Sequence, residues 1–206
     1  MIKLFFIGLL SLLIGCSTPT SNNHTVSHYT SNYADSLNHV RTENDKELKT
    51  DPRTPLEAEK VAAFTGLKYF KPNKKWTIHA VYVKIDTASV FNLPTTTERV
   101  IPMIKDGLIR FNMNGKTIEL FTYRYLEHPE EDLFVPFLDL TNGDVTYGGG
   151  RYIEVKHPVN DSVWIDFNMA YNPYCAYNHK YSCPIPPLEN TLNISVLAGE
   201  KVLYRY

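Results

Sequence analysis

Asn114 and Gly115 stand between two runs in which bulky and polar residues alternate, GLIRFNM before them and KTIELFTYRY after. The central residues of the tightest hairpin turn both need positive φ, so an Asn-Gly pair flanked in this way predicts a β-hairpin. WTIHAVYVKID (residues 76–86) alternates likewise and is rich in β-branched residues. Further strands are predicted at DLFVPFLDL, GRYIEVK, SVWIDFNMA and TLNISVLAGEKVLY, with Thr141-Asn142-Gly143-Asp144 and Pro158-Val159-Asn160-Asp161 as turns. Such short connections carry no helical crossovers, so a parallel sheet is not expected. The reading is a mainly β domain of roughly seven to nine strands, an antiparallel sandwich or open barrel with one or two N-terminal helices packed against it. Tyr33, Leu37, Val40 and Leu48 recur at helical spacing, and Thr54-Pro55-Leu56-Glu57 opens a second, short helix that Gly66 stops.

The first residues set the address. Lys3 gives a positive start, and LFFIGLLSLLIG (Leu4 to Gly15) is apolar but shorter than the ~20 residues that span a bilayer, as in a signal peptide. It ends in Leu13-Ile14-Gly15-Cys16, which resembles the bacterial lipobox, where the cysteine is lipidated and becomes the mature N-terminus. Residues 1–15 are read as a lipoprotein signal peptide and Cys16 as the lipidation site. Ser17 follows with no acidic residue behind it, which favours transfer to the outer membrane, with the domain on its periplasmic face. Residues 16–32 are polar and rich in Ser, Thr and Asn, a composition that cannot bury enough surface to fold and reads as a flexible tether. Residues 33–206 then form one domain. The expected partners are the membrane, through the anchor, and an unknown small molecule or envelope component. With 21 basic against 22 acidic residues there is no reason to expect nucleic acid.

LFVPFLDLTNGDVTYGGGRY (residues 133–152), VWIDFNMAYNPYCAYNHKYSCPIPPLEN (residues 163–190) and AGEK (residues 198–201) resemble a family of bacteria and archaea known as domain of unknown function 1684. A weaker likeness runs through GLIRFNMNG and TPLEAEKVAAFTGLKYF. The resemblance implies a β-rich domain of unassigned activity and carries over no catalytic residue.

In an oxidising compartment, with Cys16 lipidated, Cys175 and Cys183 are the remaining thiols and are expected to pair as a disulfide. Zinc is the alternative: Cys175, His179 and Cys183 fall at four-residue intervals, but a fourth ligand would have to come from His157 or Glu189 by folding. No metal and no cofactor is assigned, since the chain has no P-loop, dinucleotide fingerprint, HExxH or serine elbow. Period two sends Asp166 and Asn168 to one face of a strand and Ile165 and Phe167 to the other. Arg151, after three glycines, is placed to pair with Asp166 or Glu200 or to clamp an anion. The candidate pocket is Arg151, Asp166, Asn168, Tyr171, Asn172, Glu189, Asn190 and Glu200, with Tyr174, Tyr177 and Tyr181 as further walls. It points to a binding module for a small molecule, glycan or protein. One alternative is a hydrolase using Asp166, Glu189 or Glu200 as acid and base; another is a purely structural role.

Overall fold

A computed structural model of the protein describes residues 33–87 and 89–204. The expected signal peptide, Cys16 and the expected tether, residues 1–32, lie outside these residues. The described chain opens with helix α1 (Tyr33–Thr50) and a single turn, α2 (Ala58–Val61). Seven strands follow: β1 (Thr77–Lys84), β2 (Val90–Pro94), β3 (Val100–Met113), β4 (Lys116–Tyr125), β5 (Leu133–Phe137), β6 (Arg151–Val155) and β7 (Ser162–Asp166). They make one curled antiparallel sheet, a half-barrel, in the order β6-β5-β4-β3-β1-β7, with β2 also paired to β3. The fold class expected from the sequence is therefore the observed one, in its open-barrel form.

The Asn114-Gly115 turn sits where predicted, with φ of 52° and 74°, and closes the β3–β4 hairpin at Met113 opposite Lys116. Strand β3 is long because it serves two neighbours: Gly107 to Arg110 pair with β1, and Val100 to Ile104 pair with β2. A bulge between Lys105 and Gly107 separates the two stretches. Such a bulge raises the local twist and bends the strand. Asp106 sits in it, buried, and accepts hydrogen bonds from Tyr82, Lys84 and Arg124. The sequence reading passed over β2 and this half of β3, because Pro94 and Pro102 weaken the strand signal there.

Two hydrophobic clusters lie on opposite faces of β4–β6. Leu120, Val135 and Ile153 join the larger one with Trp76, Ile109, Ile165 and Phe167; Tyr123, Phe134 and Tyr152 join Leu93 and Met103 in the other. A third, of Leu56, Phe64 and Tyr177, fastens the helical region to the tyrosine-rich segment.

Three local expectations fail. The second helix starts only at Ala58, with Glu57 and not Thr54 at its N-cap and no side-chain capping bond. In α1 the inward stripe is Leu37 and Arg41, while Val40 is exposed. The Arg41 guanidinium donates to the carbonyls of Phe70 and Asn168 and lies 4.3 Å from the Tyr69 ring centre, so the helix docks partly through a cation. The predicted strand TLNISVLAGEKVLY is irregular, though Leu192, Val196 and Ala198 fill the larger cluster. The reason is Arg151. Its fully buried guanidinium donates to the carbonyls of Val196, Ala198 and Glu200. A side chain does there what a neighbouring strand would otherwise do.

Candidate functional site

The chain passes Glu200 under close constraint. Gly199 has φ +76°, and a Cβ added to it would lie 2.5 Å from the Ala170 carbonyl oxygen and 2.8 Å from that of Phe167. Only glycine lets the backbone approach so closely. The next N–H, that of Glu200, donates to the Ala170 carbonyl at 2.8 Å. The Glu200 side chain is thereby buried beneath the tyrosine-rich segment, where Oε2 accepts from the Asn172 N–H at 2.6 Å and from the Tyr177 hydroxyl at 2.7 Å. No donor among the described residues reaches Oε1. Burial pushes the Glu200 carboxyl up to about 7, against the hydrogen bonds from Asn172 and Tyr177 and the charge of Arg151, which favour ionisation.

Above Glu200 opens a cavity of about 220 Å³. One wall is Tyr171, Asn172, Tyr174 and Tyr177; the other is Asn44, Glu47 and Leu48 of α1 with the following loop from Asp51 to Pro55. Thr54 turns that loop: its hydroxyl donates to the Leu48 carbonyl and accepts from the Leu56 N–H. On the rim Arg53 closes onto Asp51. Tyr181 lies behind Tyr174, with ring centres 5.3 Å apart, and is not part of the wall.

Of the residues proposed from sequence, Tyr171, Asn172 and Glu200 are brought together, with Tyr174 and Tyr177. Others lie elsewhere. Arg151 pairs with Asp139 at 2.8 Å, both side chains fully buried, and not with Asp166 or the Glu200 carboxylate. With its charge matched inside the core it cannot clamp a ligand. Asp166 ends β7 and accepts from the Tyr33 hydroxyl and the Asn168 N–H. Ile165 and Phe167 are buried as expected, but Asn168 is buried too, because a 3₁₀ turn (Phe167–Met169) breaks the alternation and aims it at the Asn73 backbone. Glu189 binds Lys105 at 2.6 Å and accepts from the Tyr123 hydroxyl. Asn190 is fully buried between β4 and β5, exchanging two hydrogen bonds with the Phe121 backbone and donating to the Pro136 carbonyl. The three acids of the hydrolase reading thus occupy three separate hydrogen-bonded sets. The α1 wall escaped the sequence reading; its trace was a helix too polar for its length, ending at Thr50.

Cys175 and Cys183 are both buried, and both are free thiols. The expected disulfide is absent from the structure, although the two groups touch: the Cys175 N–H donates to the Cys183 sulfur at 3.1 Å. A hydrogen bond from the Cys183 thiol draws the Cys175 thiol down to about 7 and pushes that of Cys183 up. The loop holds without a cross-link because Thr96 grips Cys183 twice, its N–H donating to the Cys183 carbonyl and its hydroxyl accepting from the Cys183 N–H. His157 binds the Glu131 carbonyl. Among the described residues no group of three or more His, Cys, Asp or Glu side chains is arranged to hold a metal ion.

The chain is similar, at 33% identity and a TM-score of 0.66, to an uncharacterized protein of Haloarcula marismortui solved by solution NMR, with 81% of this chain and 92% of that one covered. No curated protein matches. Residues 62–201 match the family model described as protein of unknown function, DUF1684. The matched span includes Glu200 and the tyrosine wall but not α1. The chain belongs to the DUF1684 family.

Proposed function

We propose that this protein is a cell-envelope lipoprotein, held to the membrane through Cys16, whose β-domain binds a small molecule in the tyrosine-walled cavity over Glu200. One observation carries the binding reading: a buried carboxylate, held through Oε2 by the Asn172 N–H and the Tyr177 hydroxyl, forms the floor of a cavity with one tyrosine-rich wall. The address rests on the apolar run before Cys16 and the polar tether behind it.

Two measurements test the parts separately. Cells fed radiolabelled palmitate should label the wild type and not Cys16→Ala; equal labelling of both removes the anchor. A thermal-shift screen of small polar molecules should give hits that weaken in both Glu200→Gln and Tyr174→Ala. Hits unaffected by either change place binding elsewhere. A hydrolytic reading keeps one point in its favour, since Glu47 shares the cavity with Glu200, whose carboxyl stands near 7. Turnover of a glycoside or ester that disappears in both Glu200→Gln and Glu47→Gln would establish it.

A further inference from the structure

The cavity over Glu200 holds a buried acceptor that no protein donor meets. Glu200 Oε2 already takes the Asn172 N–H and the Tyr177 hydroxyl, and Oε1 takes none. In the same wall, Oδ1 of Asn172 is buried with no hydrogen-bond partner, while its Nδ2 donates to the Lys201 carbonyl. Leaving that buried amide oxygen unmet is costly, and a ligand that supplies an N–H group relieves the cost.

Charge points the same way. Glu47, Asp51 and Glu200 line the cavity against one cation, Arg53, which is turned onto Asp51 at the exposed rim. The arginines behind Glu200 do not compensate it directly. Arg151 is hydrogen-bonded to Asp139 and to backbone carbonyls, and Arg41 to backbone carbonyls. An anion would enter a field of its own sign. A cation would find a carboxylate, an amide oxygen and tyrosine rings, a set that suits an ammonium group.

Resting on the small-molecule reading above, we propose that the ligand carries a primary ammonium group on a short aliphatic chain, with its N–H donors on Glu200 and Asn172 and its chain against Tyr171 and Tyr174. A quaternary ammonium lacks the N–H donors. A long chain exceeds about 220 Å³.

The test uses the folded chain and three probes of equal length: n-butylammonium, n-butanol and butyrate. Each is titrated at constant ionic strength while the backbone amide signals of Asn172, Tyr177 and Glu200 are followed by NMR. Butylammonium should give saturable shifts, with affinity at least about tenfold above the other two, the scale of one charge-assisted hydrogen bond. In Glu200→Gln, whose side-chain carbonyl can still accept from Asn172 and Tyr177, butylammonium should weaken about tenfold or more. Tyr174→Ala, a change at a half-exposed wall, serves as a second variant should the first fold poorly, and should weaken binding several-fold. Butanol or butyrate binding as tightly as butylammonium overturns the ammonium assignment and leaves the pocket standing. Saturation by none of the three overturns the pocket itself.

Discussion

Arg151 has no exposed surface, and one carboxylate, that of Asp139, balances it inside the core. Removing one partner of a buried pair leaves an uncompensated charge, so Arg151→Ala should cost about 3–5 kcal/mol in urea unfolding. Arg151→Lys should recover little, because a single ammonium cannot span Asp139 and three carbonyls. Glu200 behaves differently, since its carboxyl is raised from 4.5 to about 7. The folded state therefore holds this proton more tightly than the unfolded chain. That contribution is complete below pH about 4.5 and is lost as pH rises through about 7. Wild type measured against Glu200→Gln should accordingly lose on the order of 3 kcal/mol between pH 4 and pH 8, read by denaturant midpoints at each pH. Asp45 and Arg151, as well as Glu47, Asp51 and Arg53 of the cavity, remain in both proteins, so the difference isolates Glu200. The sequence marked both residues as unusual, Arg151 by its triple glycine and Glu200 by its motif. It could not choose Asp139 over Asp166 or Glu200 as the arginine's partner, because three acids at different separations look alike until the chain brings one of them close.

At the scale of elements, the legible features were those set by near neighbours. Asn114-Gly115, the alternation of β1 and β4, and the helical spacing of α1 each lie within a few residues, and each appears in the structure. The illegible ones depend on distant side chains. The segment after Leu192 alternates like a strand, but its carbonyls are taken by Arg151, and the loss of a neighbouring strand leaves it irregular. Strands β4 and β5 pair at only one position, Tyr123 with Phe134, and Pro136 brings no N–H. Asn190 fills the gap through its hydrogen bonds to Phe121 and Pro136. Asn190→Ala should therefore destabilise by about 3 kcal/mol, the cost of stranding buried backbone groups, and faster amide exchange at Phe121 should report it. Gly199→Ala should cost a similar ~3 kcal/mol, from positive φ and the clash with Ala170, and should also weaken any cavity ligand by moving Glu200. A stability loss that leaves ligand affinity unchanged would separate Gly199 from the site.

Over the whole molecule, the curled sheet supplies a rigid back and the C-terminal segment fills the core, ending at Glu200 under the tyrosines. The cavity's second wall comes from α1 and the loop after it, about 150 residues earlier in the chain. No local sequence pattern joins two such distant walls, so the tyrosines and Glu200 were legible as candidates while Glu47 and Asp51 were not. The site's meaning depends on whether the cavity is occupied in the protein's own setting. Native mass spectrometry of wild type and Glu200→Gln, each purified from the cells that make it, answers this most directly. Wild type is expected to carry an added mass of small-molecule size, beyond any modification the two proteins share, that the variant lacks. Two identical spectra, both without the added mass or both with it, would contradict a binding site over Glu200.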